Sequence, residues 1–191
     1  GSIRLIKQHY PEIIIVGNKQ TFGMIEGFYG VTGEQYLVKE GDFLALGHHK
    51  LRFYMTPMVH WPETMMTFDE TDGVLFSGDG FGCFGTVDGG FLDTRINVDK
   101  YWGEMVRYYS NIVGKYGSPV QKALQKLGGL PISAICSTHG PVWTENIAKV
   151  IGIYDRLSRY DADEGVVIAY GSMYGNTEQM AEAIAEELSA Q

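Results

Sequence analysis

The sequence predicts a mixed α/β (α+β) fold in two parts, and three observations carry that prediction. Short apolar runs separated by turn dipeptides fill residues 35–77. Apolar residues recur at helical spacing through most of residues 98–157. A fresh strand–loop–helix pattern then opens after an acidic stretch around Asp161. Alternation and turn punctuation mark sheets, whereas a 3.6-residue period marks helices.

Taken in order, residues 12–16 form a β-branched run closed by Gly17-Asn18 and read as a buried strand. Residues 21–29 place Phe22, Ile25 and Phe28 on one helical face. Strand-like runs follow at 36–38, 43–46, 51–55, 65–68 and 74–76, broken by Glu40-Gly41-Asp42, Gly47-His48-His49 and Asp72-Gly73. That spacing predicts a meandering sheet. Trp102, Met105, Val106, Tyr109, Ile112 and Val113 share a helical face. Residues 118–127 read as a second helix, with Ser118 as its cap, Pro119 in its first turn and Gly128-Gly129 ending it. A strand is expected at 132–136 and a helix at 145–157. The domain boundaries expected are 3–158, a polar linker at 159–165, and 166–191. In the last segment residues 166–170 read as a strand, 171–177 as a loop and 177–188 as a helix. One strand and one helix cannot bury their own apolar faces, so this segment reads as the opening of a second domain.

Composition narrows the function. The chain has 191 residues, 45% of them hydrophobic, enough for a packed core. A net charge of −8 without any basic cluster argues against nucleic acid as a partner. No apolar run approaches the roughly 18 residues of a membrane span. Cys83 and Cys136 are too few for a disulfide framework, and a reducing cytoplasm is the simplest setting. The Gly1-Ser2 start reads as a cloning remnant.

Three residues are candidate metal ligands: His60, Asp79 and His139. Each directly follows a predicted strand and precedes a Gly or Pro turn, where a scaffold presents functional groups. Two imidazoles and a carboxylate suit zinc, iron or manganese. Any one of them alone reads more readily as a turn or satisfied polar residue; the shared placement of all three favours ligation. His9, His48 and His49 lack that placement, and the adjacent pair reads as part of a hairpin turn. Trp61, Phe81 and Trp143 flank the three, as a dry wall or as ordinary core.

A second candidate site is the loop Ser172, Met173, Tyr174, Gly175, Asn176 and Thr177. Glycine, hydroxyls and the free amides of a helix N-terminus favour a phosphate. A plain turn capped by Asn176, with Gln179 completing a capping box, fits the same residues.

Ser-Met-Tyr-Gly-Asn-Thr after Val-Val-Ile-Ala-Tyr resembles the phosphate loop of flavodoxin-like domains, which bind FMN. His60 in His-Trp-Pro-Glu-Thr-Met, Asp79 in Ser-Gly-Asp-Gly-Phe-Gly and His139 in Ser-Thr-His-Gly-Pro resemble the flavodiiron proteins. Those fuse a metallo-β-lactamase-like domain to a flavodoxin-like one in this order. The resemblance implies the later part of a metallo-β-lactamase-like αββα sandwich, then the first βα unit of a flavodoxin-like domain. It implies that His60 binds one iron of a non-haem diiron centre, Asp79 bridges both, and His139 binds the other. The six loop residues would hold the FMN phosphate. The implied activity is oxidoreduction: electrons pass from a rubredoxin-like or flavin reductase donor through FMN to the diiron centre, reducing O2 to water or NO to N2O. A homodimer or higher homo-oligomer is implied too. The family's His-x-Glu-x-Asp-His run is absent from these 191 residues and would fall before Gly1. The chain is therefore expected to be an inactive fragment of that oxidoreductase, holding at most one adventitious metal and little FMN. The alternative is a metallo-β-lactamase-like zinc hydrolase.

Overall fold

A computed structural model describes residues 2–87 and 89–190; the Gly1 start and the Gln191 end of the expected second domain lie outside them. The elements are α1 (Ile3–His9), β1 (Ile15–Gly17), α2 (Lys19–Tyr29), β2 (Gln35–Leu37), β3 (Phe43–Leu46), β4 (His49–Met55), β5 (Met65–Asp69) and β6 (Val74–Gly78). Then come α3 (Asp99–Tyr108), α4 (Gly117–Leu127), β7 (Ala134–Ser137), α5 (Ile147–Ser158) and α6 (Asn176–Ser189). The chain divides into two compact units after Asp161.

In the first unit β3, β4, β5 and β6 pair antiparallel in sequence order, and β7 adds in parallel beside β6. The first hairpin closes through Gly47-His48, with Leu46 opposite His49 and Gly47 at φ +61°. Positive φ is what such two-residue turns require. Strand alternation then sorts the side chains. Met66, Phe68, Leu75 and Ile135 are buried, while Phe76 points the other way and stays about half exposed. The buried side meets Tyr101, Met105, Val120, Leu127, Val150 and Tyr154 from α3, α4 and α5 in one core. A helix layer thus covers one face of the sheet. A separate parallel pair, β1 with β2, lies outside that sheet.

Several expectations are corrected. The strand expected at 12–16 is Ile15–Gly17, and that at 132–136 is Ala134–Ser137. The helical face of residues 102–113 is split: α3 ends at Tyr108 and Tyr109–Val113 forms a π-helical turn. The wider turn lets the neighbours Tyr108 and Tyr109 both point inward, each 2% exposed. Ser118 is no cap, because α4 already begins at Gly117. Residues 166–170 form no strand: among the described residues none pairs with them, and a strand exists only through its ladder. Asn176 does not cap α6 either; it is the first helical residue, and Gly175 at φ +83° occupies the cap position.

Candidate metal centre and phosphate loop

Three loops converge at one end of the sheet. The first joins β4 to β5 across the Met55–Met65 pair and is closed by its own hydrogen bonds. Thr56 N donates to Thr64 O (3.0 Å) and Met58 N to Trp61 O (2.8 Å), while buried Val59 anchors it. Asn18 braces it from α2, donating through Nδ2 to Glu63 O at 2.7 Å. His60 stands at its centre. The second loop follows β6: Ser77 Oγ donates to Gly80 O (2.7 Å) and Gly80 N to Ser77 O (3.1 Å), a turn that lifts out Asp79. The third follows β7. The parallel ladder sets Gly78 beside Ser137, so Asp79 and His139 emerge from neighbouring strands. Gly140, at φ +84°, passes so close to Cys83 that a Cβ there would lie 2.3 Å from Sγ.

The three expected ligands therefore meet. His60 Nε2 lies 3.1 Å from Asp79 Oδ2, and His139 Nε2 lies 3.4 Å from Asp79 Oδ1. Each carboxylate oxygen faces a different imidazole. Two ligands on one ion, each at about 2.1 Å, can be no more than about 4.2 Å apart. Each imidazole–oxygen pair satisfies that limit. The trio as a whole does not: among the described residues the one group of three whose ligand atoms all lie within 4.8 Å is His49, Asp69 and Asp72. In the His60–Asp79–His139 set the two imidazoles approach different oxygens of one carboxylate.

The surroundings differ on the two sides. His60 is 25% exposed in its side chain and His139 55%. Asp79 opens into a cleft of about 490 Å³ walled by Met24, Ile25 and Phe28 of α2 and by Trp61. Thr138 Oγ1 donates to Asp79 Oδ1 at 2.6 Å. Tyr108 sets its ring 5.6 Å from that of His139, and burial holds its phenol protonated. Burial, then the charge of Glu104, pushes the Cys83 thiol up to about 12. Of the three aromatic residues, Phe81 and Trp143 are core, and Trp61 is half exposed on the cleft.

Asp93 is a residue that periodicity and motif reading both miss. It is 2% exposed, and its carboxylate accepts from the amides of Thr144, Glu145 and Asn146, from Thr144 Oγ1 and from Asn146 Nδ2. Burial alone would raise its pKa; the Thr144 and Asn146 hydrogen bonds outweigh that and hold it below the usual carboxylate range. Asp93 thereby pins the start of α5, and with it the loop that presents His139.

At the opposite end of the sheet, His49 Nδ1 lies 2.7 Å from Asp69 Oδ2 and 3.8 Å from Asp72 Oδ2. Asp69 Oδ1 accepts from Thr71 N at 2.9 Å. His49 opens β4 next to the Gly47-His48 turn, which accords with a turn role for this pair.

In the second unit, Ser172 Oγ accepts from Gly175 N at 3.0 Å, and Gln179 N donates to Gly175 O at 3.0 Å as α6 begins. Met173 and Tyr174 are each 85% exposed. The first-turn amides of α6 are thus at the mouth of an exposed loop carrying the Ser172 and Thr177 hydroxyls.

Comparison with known proteins bears on both sites. The family model described as ODP family beta lactamase matches residues 1–140, and the flavodoxin model matches residues 168–191. An anaerobic nitric oxide reductase flavorubredoxin from Shigella dysenteriae is 35% identical over 156 residues, covering 80% of this chain and 32% of that protein. The chain thus spans about a third of the length of the curated relatives it matches. Among solved structures, rubredoxin oxygen:oxidoreductase from Desulfovibrio gigas superposes with TM-score 0.92 at 28% identity, over 100% of this chain and 48% of that one. A substituted flavo di-iron protein from Thermotoga maritima gives 0.89 at 29% identity, again over 100% of this chain and 48% of the other. A beta-lactamase-like match over most of the length, with a flavodoxin match behind it, defines the lineage: the chain belongs to the ODP beta-lactamase family and is a flavodiiron protein.

Proposed function

We propose that this chain is part of a flavodiiron oxidoreductase that reduces O2 to water or NO to N2O. The observation that carries the reading is the split geometry at Asp79, one imidazole to each carboxylate oxygen. The donor set fits a diiron pair: His60 with Oδ2 on one side, His139 with Oδ1 on the other, Asp79 between. Two neutral imidazoles and one carboxylate leave much of the positive charge uncompensated and several coordination positions open. Further donors are needed for a complete centre. When bound, diiron and FMN supply the electron transfer. The chain's own residues hold and shield. Asp79 keeps the two positions within one carboxylate of each other. The apolar wall of α2 and Trp61 lines an open cleft beside them and suits a weakly polar diatomic substrate. Ser172, Met173, Tyr174, Gly175, Asn176 and Thr177 orient a phosphate at the α6 N-terminus, where dipole and free amides favour an anion.

An electron donor of the rubredoxin or flavin reductase type, a homodimer or higher oligomer, and a cytoplasmic setting complete the proposal. Among the described residues no helix is long and apolar enough to cross a membrane. A zinc hydrolase has no use for a flavin segment, and the flavodoxin match weighs against it.

Cobalt(II) titration of the chain, followed by visible absorption, tests the site. Cobalt bound by nitrogen and oxygen should give a saturable band that Asp79→Asn removes. An identical titration for wild type and Asp79→Asn would overturn the assignment.

A further inference from the structure

We propose that Thr138 is a positioning residue: its hydroxyl fixes the orientation of the Asp79 carboxylate so that the two oxygens address the two imidazoles separately. The proposal rests on the metal-centre reading above, but its observations are independent of it. Thr138 Oγ1 donates to Asp79 Oδ1 at 2.6 Å, shorter than the 3.4 Å from the same oxygen to His139 Nε2.

A free carboxylate on a turn can rotate about its terminal torsion, which is broad and nearly two-fold. Rotation would exchange or average the two oxygens. One hydroxyl on Oδ1 removes that freedom, and a carboxylate oxygen has a second lone-pair site left for an ion. The hydroxyl itself is well held. Thr138 N donates to Gly78 O at 2.8 Å, so its backbone is tied to the last residue of β6, next to Asp79. Ser137 Oγ reaches the same carbonyl at 3.3 Å. Threonine is also stiff at χ1, because two heavy atoms sit on Cβ. Donor and acceptor are thus locked in register by the parallel β6–β7 ladder. Partners of this kind behind a metal ligand typically change affinity about 10- to 100-fold when removed.

The proposal separates hydroxyl from shape. Thr138→Val keeps the branched shape and loses the donor; Thr138→Ser keeps the donor and loses the methyl. With cobalt(II) as probe, Thr138→Val should weaken binding about tenfold, within the range for such partners. Thr138→Ser should stay within about twofold of wild type, and all three should share one melting temperature. A Thr138→Val protein that binds cobalt like wild type overturns the proposal. So does a Thr138→Ser protein as weak as Thr138→Val, since that would make the residue's shape rather than its hydroxyl the cause. If wild type itself fails to saturate, the metal-centre reading fails, and metal-free crystal structures of the two variants still decide on Thr138. Asp79 should keep its orientation in Thr138→Ser and lose it in Thr138→Val; an unmoved carboxylate in Thr138→Val overturns the proposal.

Discussion

Two histidine–aspartate clusters occupy opposite ends of one sheet, and proximity alone favours the one the proposed function does not use. His49, Asp69 and Asp72 gather their ligand atoms within 4.8 Å of one another, more tightly than the other trio. Yet His49 and Asp69 are engaged with each other, and Asp69 also holds the Thr71 amide of the β5–β6 turn. His60, Asp79 and His139 are more spread out, and their spread has a pattern: one imidazole per carboxylate oxygen beside an apolar cleft. In the first cluster the hydrogen bonds of Asp69 to His49 and Thr71 shape a turn. The second gathers two imidazoles around one carboxylate at three loop ends.

The largest effect that tests this contrast is on metal affinity. Asp79→Asn should weaken cobalt(II) binding by more than about 100-fold, the upper end typical of a partner behind a ligand, because it removes the carboxylate charge and one of its two oxygen donors. Asp69→Asn should leave the titration unchanged and lower the melting temperature instead; the reverse pattern would make the turn cluster the site. Next in size is Asp93→Ala, which strands the Thr144, Glu145 and Asn146 amides. A loss of about 3 kcal/mol in urea denaturation is expected, since bonds to a buried charge are worth about 1.5–3 kcal/mol each but do not add. A cost below about 1 kcal/mol would show that α5 and the His139 loop stand without it.

Acid unfolding gives a smaller effect. Burial opposes ionisation of Asp69, but the Thr71 amide and His49 bring its pKa below the ordinary value, and Asp93 is lowered as well. Carboxylates with folded pKa values below the unfolded ones stabilise the fold above about pH 4 and lose that as pH falls. Stability should therefore decline from about pH 4 downward, less steeply in Asp69→Asn and in Asp93→Ala. Parallel declines in all three proteins would contradict these roles. Smallest is His49→Gln, expected to lower the melting temperature slightly and to leave cobalt binding intact.

Much of the first unit is legible in the sequence because its signals are local. The meander shows in turn dipeptides such as Glu40-Gly41-Asp42 and Asp72-Gly73, and His60, Asp79 and His139 show as polar residues at strand ends before Gly or Pro. What is not legible depends on partners far along the chain. Asp93 meets Thr144 at a separation of 51 residues, and Thr138 meets Asp79 at 59. No local pattern announces either bond. The π turn at Tyr109–Val113 escapes a 3.6-residue period by its nature. Residues 166–170 have the composition of a buried strand, but a ladder needs neighbours, so composition alone could not make one. At Asn176 the preference for a cap loses to Gly175, whose left-handed backbone starts the helix one residue earlier.

The most direct test of the central claim is anomalous scattering from crystals of the chain soaked in manganese or cobalt. The account predicts density beside one imidazole–oxygen pair, His60 Nε2 with Asp79 Oδ2 or His139 Nε2 with Asp79 Oδ1. A single ion bonded to both imidazoles and the carboxylate together, or density at His49, Asp69 and Asp72 with none at Asp79, would contradict it.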